Sequence, residues 1–365
     1  MKKDIEGSIL LFIAALIWGS SFIVMKSAVD FLTPAVLLFL RFSLAALLLS
    51  LLFFKKIKIL NFQQIKGGLI TGSCLFGAYY VQTWGLNYTT PGKNAFLTAV
   101  YCAIVPFLVW LFYRKRPDIY HFIAALICIL GIGCVSLDGN LTMNIGDFLT
   151  LCGGFLYAGH ILLIKKYSQG IDGGAFTSLQ FIGGALVALI LALVTEDLSI
   201  MTQIQSSIYL QILYLVIFAT ALTMFCQTTG QKYTSECRAS LILSLESVFG
   251  VAFSIAFYGE VLTLKVLLGF VLIFIAGVLI MATSFVIISM REKKAKNAYN
   301  RRYEASIKDE LTGLYNRRGF EVDCEIIKKN NNLIEYVLIM MDLNGLKAAN
   351  DNIGHEAGDE LIIGA

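Results

Sequence analysis

Ten runs of 17 to 26 mostly apolar residues follow one another at 8–26, 35–54, 67–84, 95–113, 121–137, 146–164, 174–194, 209–227, 240–258 and 264–289. A helix crossing about 30 Å of hydrocarbon needs about 20 such residues. Inside lipid only helices or closed barrels satisfy every backbone group. The pattern therefore predicts an all-α polytopic membrane protein with ten transmembrane helices. Composition agrees, with 57% apolar residues and 15% charged ones against about 45–50% and 25% in soluble domains. The charge is unevenly spread. Residues 1–290 hold 17 Lys/Arg and 12 Asp/Glu, whereas 291–365 hold 12 and 13, so the last 75 residues belong in water.

Lys2 and Lys3 precede the first run as they would in a signal peptide, but Asp4 and Glu6 share its head and no small-residue cleavage site is evident. It reads as an uncleaved anchor. Orientation follows from the loop cations. With the N-terminus in the cytoplasm, the inner segments hold 13 Lys/Arg and the outer ones only Lys26, Lys93 and Lys265. Both termini are expected in the cytoplasm of a prokaryote whose inner membrane holds the chain. The cysteines fall mainly inside apolar runs, without CxxC or Cys/His spacing, so neither zinc nor a disulfide framework is expected.

The chain repeats itself. AALIWGSSFIVMK from Ala14 lies on GGFLYAGHILLIK from Gly153 at an offset of 139, which matches Trp18 with Tyr157 and Lys26 with Lys165. The same offset pairs Arg41 with Gln180. At an offset of 145, GLNYTTPGKNAFLTAVY lies on GQKYTSECRASLILSLE and Tyr101 falls on Glu246. Five spans per half is odd, so the halves insert upside down relative to one another, an architecture that places sites near the midplane between them. With IWGSSFIVMK, LRF, LILSLESVFGVAFSIAFYGEVLT and GFVLIFIAGVLI in the first, second, ninth and tenth runs, residues 8–290 resemble the EamA-type drug/metabolite transporter superfamily. The expected division is a first five-helix repeat at 1–137 and a second at 146–290.

Position along a span converts to depth at 1.5 Å per residue. Trp18 and Tyr157 fall near the midplane. Arg41 and Tyr101 are expected in the outer third, Gln180 and Glu246 in the inner third, and these six are the candidate cavity residues. Charge within a span is costly and normally meets a partner or a watery cavity, and Arg41 and Glu246 are the charges well inside. Depth puts Arg41 and Glu246 about 10 Å apart along the normal, which disfavours an ion pair. For Glu246 a cavity-lining role competes with packing against Gln180, and for Arg41 a gating partner competes with a substrate-carboxylate ligand. His160 reads as interfacial, Glu260 and Asp147 as solvated span ends. Tyr79, Tyr80 and Gln82 could line the pocket, but their face is not legible. Pro106 should interrupt the fourth helix.

Residues 291–308 read as a basic linker helix. DELTGLYNRRGFE at 309–321 and EYVLIMMDLNGLKAANDNIGHEAGDEL at 335–361 then resemble the opening of the GGDEF domain, the diguanylate cyclase module. That resemblance implies a catalytic-magnesium ligand at Asp342 and guanine contacts at Asn350 and Asp359, held here as vestigial positions. Asn344 and Leu346 replace the usual Asp and Phe. The GG(D/E)EF loop is not found within 309–365, so this part is expected to be an incomplete α/β fragment. No cofactor is expected; magnesium and GTP would enter only with a complete domain.

Taken together, these features point to a secondary transporter, by resemblance an exporter, of a small organic metabolite, amino acid or drug, working by alternating access. The rivals are a membrane receptor driving a cyclase and a membrane scaffold or channel without alternating access. The partners implied are the lipid bilayer and a small-molecule substrate, with a homodimer allowed and no role for nucleic acid.

Overall fold

The computed structural model describes residues 2–137, 143–196, 206–329, 343–344 and 346–364. It divides into two compact units, Met1–Ser284 and Phe285–Ala365. In the first, α1 Lys2–Val29, α2 Pro34–Leu52, a short α3 Phe54–Ile57, α4 Phe62–Leu86, α5 Pro91–Thr98, α6 Tyr101–Tyr113 and α7 Ile119–Ser136 make one half. The other half comprises α8 Ile145–Tyr167, α9 Gly173–Thr195, α10 Ser206–Val216, α11 Thr223–Gln231, α12 Glu236–Leu243, α13 Leu245–Phe253 and the start of α14 Leu264–Ile307. A π-helical turn, Ile217–Leu222, joins α10 to α11, and a second, Ser254–Tyr258, follows α13.

Helix starts follow the local sequence. Asn61 and Gln64 exchange hydrogen bonds in a capping box at α4. Thr33 and Thr90 each precede a proline, whose missing N–H costs nothing in the first turn. Eight stretches among the described residues are long and apolar enough to cross a membrane. Two of the ten expected spans fall outside that set. α4 has the length, but Gln63, Gln64, Lys66, Thr71, Ser73, Gln82 and Thr83 dilute its apolar face, and α14 is apolar from Leu264 to Ala276. Large apolar side chains such as Leu51, Ile129, Val194 and Leu210 are exposed around the bundle, as a lipid-facing surface requires.

The halves interlock by exchange. α4 packs on α8 and α1 on α11, two contacts that the repeat exchanges, while α2 packs on its own repeat mate α9 and α5 packs on α13. Two close approaches fix this arrangement. A Cβ on Gly85 would stand 2.7 Å from the Gly146 carbonyl, and one on Gly230 the same 2.7 Å from that of Gly7. Gly85 and Gly230 are repeat mates, as are Gly7 and Gly146, so one glycine contact occurs twice.

The fourth span is broken, but not at Pro106, which lies inside α6. The break is at Ala99–Val100, and its mate is at Ser244 in the ninth span. Around it the ladder tightens to i→i−3 bonds, Cys102 N to Ala99 O at 3.1 Å and Ser247 N to Ser244 O at 3.1 Å. Recurrence in a half that has no proline there assigns the break to the shared fold.

In the second unit the DELTGLYNRRG run builds a turn before α15 Arg317–Lys329. The Asp309 carboxylate accepts from Thr312 N at 2.9 Å, Thr312 Oγ1 at 3.0 Å and Leu311 N at 3.1 Å, and these donors hold its pKa below the usual aspartate value. Gly313 supplies the left-handed φ of 71°. Asn316 donates to Ser306 O and Lys308 O and accepts from Gly319 N at 3.0 Å. α16 Leu346–Asn352 carries Asn350, half-buried, and α17 His355–Ile363 carries Asp359, exposed. Asp342 and the apolar EYVLIMM run before it lie outside the described residues.

Candidate functional site

A cavity of about 40 Å³ lies in the first unit between the halves. Five of the six candidate residues line it: Trp18, Arg41, Tyr101, Tyr157 and Glu246. The π turn positions the first two. Its irregular ladder presents the Ala219 carbonyl and the Thr220 hydroxyl sideways, a common use of such turns. Trp18 Nε1 donates to Ala219 O at 3.0 Å. Arg41 donates to Thr220 Oγ1 through Nη2 at 2.8 Å and Nε at 3.0 Å. Its guanidinium carbon lies 5.0 Å from the centre of the Tyr79 ring, and Nη1 meets Met25 Sδ at 2.8 Å. Arg41 is 1% exposed, and none of these contacts is anionic.

Across the cavity, Tyr101 Oη donates to Glu246 Oε1 at 3.0 Å. These repeat mates open α6 and α13, directly after the two helix breaks. Expected in different layers, the two are bridged by the length of the tyrosine side chain, on spans that pack together through α5 and α13. Glu246 does not bond Gln180. Tyr157 packs edge-on against Tyr79 at 5.6 Å and Tyr101 at 6.4 Å. Its hydroxyl donates to Gln82 Oε1 at 2.8 Å, and Gln82 Nε2 donates to Thr98 Oγ1 at 2.8 Å. Asn94 Nδ2 continues to Thr150 Oγ1 at 2.7 Å.

Gln180 stands outside the cavity. Its Oε1 accepts from His160 Nε2 at 2.8 Å, and its Nε2 donates to Thr228 Oγ1 at 3.0 Å. All three side chains are buried. His160 is therefore an interior residue, not an interfacial one, because Gln180 satisfies the nitrogen that water would otherwise serve. Asp147 and Glu260 likewise are not simply solvated. Asp147 is fully buried, bonded to Thr89 Oγ1 at 2.6 Å. Glu260 accepts from Gly92 N at 3.0 Å.

Sequence reasoning missed Thr220, Asn94, Thr98 and Gln227. For Gln227 a signal existed: it lies 145 residues after Gln82, and both line the cavity. Thr220 carries no such mark, since its mate is Leu75 and a π turn has no recognisable motif. No group of three or more His, Cys, Asp or Glu able to hold a metal occurs among the described residues.

A helical bundle of two interlocked halves around one buried polar cavity defines a polytopic membrane transporter fold. The chain belongs to the EamA-like transporter family, whose description matches it twice, at residues 5–137 and 144–282. Residues 306–365 match the diguanylate cyclase GGDEF domain. An uncharacterized transporter of Archaeoglobus fulgidus is 31% identical over 278 residues, which cover 76% of this chain and 86% of that one. Diguanylate cyclase VdcA of Vibrio cholerae is 44% identical over 54 residues, 15% of either chain. A crystal structure aligns with TM-score 0.59 at 12% identity, covering 77% of this chain and 98% of its own, which supports the fold alone.

Proposed function

We propose that the chain is a secondary transporter that exports a small organic metabolite, amino acid or drug across the cytoplasmic membrane by alternating access. In this reading ten helices form two inverted five-helix repeats, 1–137 and 146–290, with both termini in the cytoplasm. The observation that carries it is the meeting of repeat mates around one cavity. Trp18 with Tyr157, Tyr101 with Glu246 and Gln82 with Gln227 all line it, so the relation between the halves passes through the cavity, as transport by their exchange requires. A cavity of about 40 Å³ holds only a few waters, so a metabolite enters only when the bundle opens.

The two charges narrow the substrate. Among the described residues, Arg41 has no anionic hydrogen-bond partner and Glu246 meets the Tyr101 hydroxyl. A buried charge lacking a counter-charge is costly, and a small molecule carrying both a carboxylate and an ammonium would answer both. The test is counterflow in liposomes with the full chain, comparing zwitterions with their deaminated and decarboxylated analogues. Flux of none of them refutes transport of this class, and equal flux of all three refutes the charge assignment.

A second reading, that the bundle is a receptor for a cyclic di-GMP output, is favoured by the GGDEF match at 306–365. Detection of cyclase activity controlled by a ligand of the bundle would support it.

A further inference from the structure

At one end of the bundle the second half reaches across to the first through three acidic side chains. Glu196, directly after α9, accepts from Thr33 Oγ1, from Val36 N at 2.9 Å and from Ala35 N at 3.1 Å. Glu260 accepts from Thr90 Oγ1, from Gly92 N at 3.0 Å and from Ser254 Oγ at 2.5 Å. Asp147 accepts from Thr89 Oγ1 at 2.6 Å and lies 3.7 Å from Lys93 Nζ. The opening amides of α2 and α5, which no carbonyl of their own helix can serve, are thus held by carboxylates of the other half, where the helix dipole favours negative charge.

The opposite end is built from different residues at the matched positions. At the repeat offsets the mates of Glu196, Glu260 and Asp147 are Ile57, Lys115 and Ser8, none of them acidic. Helix starts there are capped from within. Asp172 Oδ1 accepts from Gly174 N at 3.0 Å and Ser235 Oγ from Arg238 N at 3.3 Å. Contacts between halves at that end include Phe53 stacked on Phe225 at 5.7 Å and Lys3 over Tyr233 at 5.9 Å, and none of these involves a carboxylate.

The clasped segments are also the ones above the cavity. α2 carries Arg41, and Asn94, another lining residue, comes one turn after the Thr90 that Glu260 holds. Leu86, whose carbonyl Lys26 Nζ holds at 2.7 Å, also lines it. We propose that Glu196, Glu260 and Asp147 form a latch that keeps this end of the bundle shut over the cavity and must part before substrate can pass through it. The latch sets the two ends apart at these matched positions, since none of the mates of its three carboxylates is acidic. Its assignment to the outer face rests on the topology proposed above.

The test uses the full chain with its native cysteines replaced and Thr83→Cys, just below the clasps, as reporter. A membrane-impermeant methanethiosulfonate is applied from outside to oriented vesicles. The double variant Glu196→Gln/Glu260→Gln is expected to label at least threefold faster than its parent, and each single variant by an intermediate factor. Where the double variant fails to insert, the single variants carry the test. Unchanged labelling in variants that retain the parent's thermal midpoint would overturn the latch. Faster labelling from the cytoplasmic side alone would keep the latch and overturn the topology on which its sidedness rests.

Discussion

In the first half of the bundle Ser21, Arg41 and Thr83 line the cavity; in the second, their repeat mates His160, Gln180 and Thr228 hydrogen-bond one another and stand outside it. Elsewhere the halves agree closely. Lys26 Nζ holds the carbonyls of Leu86 at 2.7 Å and Thr89 at 3.3 Å, and Lys165 Nζ those of Thr234 at 2.8 Å and Gln231 at 3.5 Å. Every one of these residues sits on its mate at the repeat offset. Thr90 and Ser235, also mates, both accept from the amide three residues on. The backbone devices are duplicated and the side-chain chemistry has diverged. A knot of neutral groups closes one side, while a cation without an anionic partner keeps the other polar. A site built this way is one asymmetric chamber, not two equivalent ones.

The largest effect should come from breaking that asymmetry at its cation. Arg41→Ala is expected to lower transport at least tenfold, since hydrogen bonds to a charged group are worth about 1.5–3 kcal/mol and 1.4 kcal/mol is tenfold. Arg41→Lys should rescue it poorly, because an ammonium cannot make the forked contact with Thr220. Gln180→Leu should act differently, leaving His160 and Thr228 without a partner. It should reduce stability by about 1–3 kcal/mol, read as a lower thermal midpoint, with substrate preference unchanged. A change of substrate range in Gln180→Leu would refute the division between chamber and knot.

Next in size is Glu246→Gln, expected to reduce transport several-fold and to flatten its pH dependence while insertion is preserved. Tyr101→Phe should weaken transport by a smaller factor, because the carboxyl remains and loses one donor. Wild-type rates in Glu246→Gln at acid and neutral pH alike would remove this residue from the mechanism. Smaller still are Lys26→Met and Lys165→Met, each costing about 1 kcal/mol of stability. The comparison predicts equal losses in a thermal scan, and a loss confined to one would show that the two caps are not equivalent. Deleting 309–365 should have the smallest effect, leaving transport unchanged. The purified 365-residue protein should make no cyclic di-GMP from GTP and magnesium, since a metal-dependent reaction needs its full set of acidic ligands. Synthesis lost in Asp342→Ala would show otherwise.

Much of this was legible in the residues themselves. Apolar runs gave the helical segments, and the offset of 145 matched Tyr101 with Glu246 as repeat mates without indicating that they touch. The breaks beside these residues were not legible, because Pro106 offered a local cause, whereas the break recurs at Ser244 in a half with no proline there. Trp18 and Arg41 stood out by residue type, whereas Thr220 did not. A threonine in FATAL reads as an ordinary small residue until a π turn rotates its hydroxyl toward the guanidinium. Glu260 and Asp147 were misjudged for another reason. Position near a span end suggests water, but each carboxylate finds unsatisfied amides or hydroxyls on the other half.

The two helix breaks have a mechanical consequence. Ala99–Val100 and Ser244 are repeat mates on two spans that pack together through α5 and α13, and the Tyr101–Glu246 bond joins their continuations. Paired levers that turn about a common fulcrum move their far ends most and their crossing least. A bond made at the fulcrum can therefore persist through a swing that separates Glu260 from Thr90 at one end of the lever. If the halves exchange as proposed, the Tyr101–Glu246 contact is one that both arrangements of the bundle can share.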